Sequence, residues 1–166
     1  MSAPPTRTTR PAAPVAAAPG FAAVQEAARA LVGVTLFTVL AWDAERCALS
    51  RVHTSHPREY PVGGEKFMPP DAPWPQHVLV RQRTHLGPRP ADVAAVFADW
   101  PAIAALGCGA TLNVPVVAAG RTLGALNLLA PEGTYDESSV AAVAPLAELA
   151  REPLLAWHEN RKGRNP

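Results

Sequence analysis

The sequence predicts an α+β domain: a central antiparallel sheet with the terminal helices on one face and a ligand pocket roofed by loops and short helices on the other. Three observations predict it. Thr111 to Leu129, TLNVPVVAAGRTLGALNLL, reads as a tight hairpin whose arms are apolar on both faces, which belongs in the middle of a covered sheet. A second hairpin pattern fills residues 34 to 55, and amphipathic helical patterns stand near either end. The proline-rich middle segment must then cover the face that the helices leave open.

A chain of 166 residues is one domain's worth, long enough to bury a core without metal or disulfide staples. Lys and Arg number 15 against 14 Asp and Glu, with no charge run or basic face. The long-range field that nucleic acid or an anionic membrane would need is missing, so neither is expected as a partner. No apolar run approaches the length of a bilayer span. Cys47 and Cys108 form no metal-ligand spacing and no cleavable signal precedes them, so a reducing cytoplasm is the expected compartment.

Residues 1 to 20 hold five prolines and almost no large apolar side chains, and are expected to be a disordered tail. Phe21, Val24, Ala28, Leu31 and Val32 recur at helical spacing, and Gly33 ends that helix. Val34 to Trp42 is a strand by content; Asp43 to Arg46 turns the chain into a second strand from Cys47 to Ser55. Residues 56 to 75, rich in proline and carrying Gly63-Gly64, read as a long loop. Gln76 to Arg83 predicts a helical turn or two, Thr84 to Gly87 a short strand, and Ala91 to Leu106 short helices broken at Pro101.

In the central hairpin, Ala119-Gly120 supplies the turn. Pairing Val117 with Thr122 places Pro115 opposite Gly124 and Asn113 opposite Leu126. That register puts Leu112, Val114, Val116, Leu123, Ala125 and Asn127 on one face, the aliphatic one expected under helices. Thr111, Asn113, Pro115, Val117, Gly124, Leu126 and Leu128 share the other, the face expected under a ligand cavity. Asp136 is placed to cap the last helix, which Pro145 and Pro153 should bend or interrupt; residues 161 to 166 fray.

With that order established, the residues resemble the GAF family of small-molecule-binding domains, relatives of PAS domains, over about residues 21 to 157. The resemblance rests on Leu-Asn-Val-Pro-Val at 112 to 116, Gly-Arg-Thr-Leu-Gly-Ala-Leu-Asn-Leu-Leu at 120 to 129 and the Tyr135-Asp136-Glu137 helix start. Thr54-Ser55-His56-Pro57 and Tyr60-Pro61-Val62-Gly63-Gly64 are also similar to segments of small stand-alone bacterial GAF proteins. The resemblance implies five strands in the spatial order second, first, fifth, fourth, third, with a pocket beneath the middle segment. It makes this chain a sensory or regulatory binding domain without an output domain of its own. Pro115, which cannot donate to a ladder, is then tolerable if its strand has only the short strand at 84 to 87 as its outer neighbour.

The expected ligand-binding set is Tyr60, Trp74, His77, Asp99, Thr111 and Asn113, around a small, partly polar organic molecule. Thr111 and Asn113 either orient that molecule or satisfy nearby loop backbone. Trp74 is either a core plug or a contact at the mouth, His77 a pocket donor or a first-turn residue, and Asp99 a partner for a ligand amine or a helix cap. His53 and His56, three apart on a strand, point to opposite faces; no metal, cofactor or catalytic residue is expected. Cys108 between glycines opens an enzyme alternative, thiol-dependent reduction of a small sulfoxide such as free methionine sulfoxide. That cycle lacks a neighbouring resolving thiol. A third alternative is a ligand-free regulatory partner. Homodimers through the Ala-rich terminal helices are expected in any of these readings.

Overall fold

The computed structural model describes residues 20–164; the expected tail, apart from Gly20, and the last two residues of the expected frayed end lie outside the described residues. Helix α1 (Phe21–Leu31) leads through Gly33 into β1 (Leu36–Asp43) and β2 (Ala48–Thr54). The middle segment holds β3 (Glu65–Phe67), a π-helical turn (Pro75–Val80), β4 (His85–Gly87), α2 (Pro90–Val96) and α3 (Trp100–Ala105). The long hairpin β5 (Ala110–Ala118) and β6 (Arg121–Ala130) follows, then α4 (Glu137–Ala142) and α5 (Ala144–Lys162).

All strands join one antiparallel sheet in the order β3-β2-β1-β6-β5-β4. Without β3 this is the expected five-strand order. The additional edge strand lies inside the segment read as loop, where Glu65–Phe67 pair with Ala48–Ser50. Three exposed residues flanked by Gly63-Gly64 and Pro69-Pro70 give no alternating pattern, so only the partner strand makes them a strand. Pro115 lies beyond β4, whose pairing with β5 stops at Asn113.

The hairpin turn is as expected, with Ala119 (φ 49°) and Gly120 (φ 74°) both left-handed, the type I′ geometry that matches strand twist. The register is not. Val117 pairs with Thr122, but Val116 pairs with Gly124 and Asn113 with Asn127, so a bulge admits one extra residue on β6. Beyond that bulge β6 is turned over relative to the expectation. Leu126 and Leu128 join the aliphatic core, while Ala125, Asn127 and Leu129 face the other way. The physical reason is burial: a regular ladder would leave two large leucines under the roof and Asn127 under the helices, and a single bulge exchanges them.

Two helix expectations also change. Pro101 does not break a helix; it sits in the first turn of α3, where its missing N–H costs nothing, and the break falls at Phe97–Asp99. Likewise Pro145 starts α5 after an interruption at Val143, while Pro153 lies inside α5. Asp136 caps α4, accepting from the Ser138 and Ser139 backbone N–H groups.

The main core lies between the sheet and the α1/α5 layer. Phe21, Val24 and Ala28 of α1 and Leu146, Ala150 and Leu154 of α5 meet Phe37, Val39, Val114, Leu126 and Leu128. Tyr135 donates its hydroxyl to the Gly33 carbonyl, tying the end of α1 to the approach to α4.

Candidate functional site

Alternate residues of the central strands point away from that core. Leu36, Thr38 and Leu40 of β1 and Asn127 and Leu129 of β6 form the floor of a cavity of about 270 Å³. Leu49 and Arg51 of β2 continue the floor. Tyr60, Met68, Trp74, Val96, Phe97, Asp99 and Ile103 wall and roof it, and Gly63 to Lys66 form its rim beside β3. The middle segment covers this face because its apolar side chains have nowhere else to go. Tyr60, Val93, Ile103 and Cys108 pack on Leu36 and Leu129, while Val78 and Leu79 pack on Trp42, Leu49 and Ala125.

Polar groups enter this apolar bowl at defined points. Thr38 and Asn127 are direct cross-strand neighbours, each about 5% exposed or less. Asn113 donates its amide to Asn127 Oδ1 at 2.8 Å and accepts from Trp74 Nε1 at 3.1 Å. This chain closes one end of the bowl. At the other end Tyr60 donates its hydroxyl to Asp99 Oδ2 at 2.8 Å; burial, and after it this bond, pushes the phenol well above its usual pKa. The Arg51 guanidinium stacks on the Tyr60 ring, 5.1 Å from its centroid, and donates from Nη1 to the Pro61 carbonyl at 3.1 Å.

Of the six residues singled out from sequence, the fold brings Tyr60, Trp74 and Asp99 to the cavity wall. Asn113 stands one side chain behind it, holding Trp74 and Asn127. Thr111 is fully buried beside Gly87, its hydroxyl without a protein partner, and does not line the cavity. His77 lies outside it too: its Nε2 donates to the Thr84 carbonyl at 3.1 Å and its ring meets His85 edge-on. Thr38, Arg51 and Asn127 were not anticipated. Arg51 had a readable signal, a cation between Ser50 and Val52 in an otherwise buried strand; Thr38 had none, because β1 is apolar on both faces.

Cys108 is 5% exposed in the cluster with Leu36 and Ile103, and burial pushes its thiol above the usual range. It does not line the cavity, and Cys47 belongs to the separate cluster around Trp42 and Leu49. His53 packs against Phe21 and Phe37 with Nε2 donating to Gln25, whereas His56 pairs with Ser55. Among the described residues no group of three His, Cys, Asp or Glu side chains converges on a point where a metal could sit.

No protein-family model matches the chain, and no curated protein matches its sequence. Solved structures match its fold. The GAF domain of a two-component sensor histidine kinase from Bacillus halodurans aligns with a TM-score of 0.65 at 14% identity, over 84% of this chain and 94% of that one. A GAF domain/HD domain protein from Geobacter sulfurreducens aligns at 0.62 and 14% identity, over 82% and 90% of the two chains. A red/green cyanobacteriochrome in its red light-absorbing state aligns at 0.60 and 15% identity, over 88% and 96%. The chain has the GAF domain fold.

Proposed function

We propose that this domain is a sensory or regulatory module that binds a small, partly polar organic molecule in the cavity between β1/β6 and the Tyr60–Asp99 roof. The observation that carries the reading is the cavity itself: a space of about 270 Å³ at the small end of ligand-sized pockets, apolar in its body, with a few polar groups at fixed positions. A ligand-free partner subunit would fill that space with its own side chains. The matched structures support the sensory part of the reading, since one belongs to a sensor histidine kinase and another is a red light-absorbing cyanobacteriochrome. Thiol chemistry forms no part of it, because Cys108 is buried away from the cavity with its thiolate disfavoured.

Tyr60, Trp74 and Asp99, joined by Thr38, Arg51 and Asn127, are the proposed contacts, with Asn113 positioning Trp74 and Asn127. Native mass spectrometry of freshly purified full chain should reveal a retained small molecule by its mass. Adding that molecule at a hundredfold excess over its Kd should stabilise the fold by about 2.7 kcal/mol. Leu40→Trp, which fills the floor, should abolish both effects. Retention undiminished in that variant would place the molecule elsewhere.

Self-association through the terminal helices belongs to the same proposal. Leu149, 51% exposed, lies in a shallow groove between α1 and α5 with Gly20, Ala23, Pro153 and Ala156, and those small side chains allow close helix approach. Light scattering of the full chain at high micromolar concentration should give twice the monomer mass. A monomer there would remove this part.

A further inference from the structure

Among the described residues Arg51 is the one guanidinium that lines the cavity, and its bonding is incomplete. Nη1 donates to the Pro61 carbonyl; among the described residues Nη2 has no hydrogen-bond partner, and Nε has none either but is buried out of reach of the cavity. Among the described residues no carboxylate reaches ion-pair distance of it. The two acidic side chains on the cavity wall are engaged elsewhere. Asp99 accepts from Tyr60 through Oδ2, and Glu65 is held by Arg46, at 2.6 and 2.7 Å, and by Arg161 at 2.9 Å. Arg51 is half-buried, and a cation partly withdrawn from water gains from an anion that reaches its open N–H groups. Burial acts on this guanidinium in the expected sense, disfavouring its charged form, with Asp99 and Tyr60 opposing only in part.

We infer that the molecule held in this cavity is a small organic carboxylate, which accepts from the open N–H groups of Arg51. This rests on the binding reading above and adds the ligand's charge to it. The geometry favours that chemistry on three counts. A guanidinium presents parallel N–H groups that match a carboxylate's two oxygens. Stacking on Tyr60 and the bond to Pro61 hold it in place, so little side-chain entropy is lost when an anion arrives. The rest of the bowl, Leu36, Leu40, Leu129, Phe97 and Ile103, suits a short aliphatic or aromatic body.

The test uses the full chain with benzoate, phenylacetate and 4-methylpentanoate, each beside its primary amide, at constant ionic strength with sodium sulfate as control. Thermal unfolding and isothermal titration read the binding. At least one acid should bind with a Kd at least tenfold below that of its amide, and Arg51→Gln should remove that preference while leaving the far-UV circular dichroism unchanged. Should Arg51→Gln fail to fold, the acid-to-amide ratio in the parent chain decides alone. An amide that binds as well as its acid, an acid preference that survives in Arg51→Gln, or an effect that sodium sulfate reproduces would overturn the inference and leave the binding reading standing. If no acid and no amide binds, the inference falls, and the mass-spectrometric retention test decides the binding reading on its own.

Discussion

On the side of the sheet that meets α1 and α5, Phe37, Val39, Leu112, Val116, Leu126 and Leu128 are buried among apolar neighbours. On the opposite side, along the same strands, Thr38, Arg51, Asn113 and Asn127 stand between Leu36, Leu40 and Leu129. The backbone ladder is shared, so the two faces differ only in the parity of their side chains and in what covers them. The helix face gains from every methylene it buries and holds few polar groups, among them His53, whose Nε2 donates to Gln25. The cavity face leaves space unfilled and answers its polar groups one by one, through Asn113–Trp74 at one end and Tyr60–Asp99 at the other. One face supplies stability that the other spends on a site.

The sharpest way to break this comparison is to cut one side chain from each face. Leu128→Ala should destabilise by about 2–5 kcal/mol, because the helix layer cannot collapse onto the gap. Thr38→Val, which trades a hydroxyl on the cavity floor for a methyl, should leave urea stability unchanged or raise it. Equal losses in the two variants would mean that the cavity is packed like a core. Trp74→Phe keeps the aromatic wall but strips Asn113 Oδ1 of its donor, and should cost about 1–3 kcal/mol in the same assay.

A pH series probes the helix face by another route. Burial lowers the pKa of His53, which packs between Phe21 and Phe37, and that of His85 behind the cavity, where His77 adds to the effect. Both are therefore neutral in the folded chain at a pH where the unfolded chain already binds protons. Their contribution is full above the ordinary histidine value of about 6.5 and is lost as pH falls from there through the depressed folded values. Urea midpoints should fall across that window, and His53→Gln should flatten part of the slope; an unchanged slope would show that His53 protonates in place. The smallest expected effect is at Asp136, where the Ser138 hydroxyl and the Ser139 backbone N–H, bonded to the carboxylate, lower its pKa. The cap strengthens the fold above the usual aspartate range and weakens as pH falls through the lowered value. Asp136→Ala should reduce Tm modestly at neutral pH and have little further effect in acid.

The architecture was readable because its signals are local. Ala119-Gly120 between apolar arms, Asp136 before a helical stripe and Gly33 after one each announce an element without reference to the rest of the chain. Half of the proposed site was readable for a related reason. Tyr60, Trp74 and Asp99 are aromatic or charged residues in a proline-rich segment that had to lie over the sheet. Asn127 was assigned to the wrong face because a single extra residue inverts every side chain beyond it, and nothing in GRTLGALNLL marks the bulge. Thr38 was hidden in a strand apolar on both faces, and β3 in a segment too short to show a period.

By itself, then, the sequence determined the elements other than β3, their order and the existence of one helix-covered and one loop-covered face, since those follow from turn chemistry and hydrophobic spacing within short windows. Tertiary structure decided the rest: which parity of β6 looks into the cavity, the pairing that turns Glu65–Phe67 into a strand, and the burial of Arg51 Nε and Cys108. Each of these depends on competition between distant surfaces for the same leucines and the same space. That competition is settled by total burial, which no window of sequence contains.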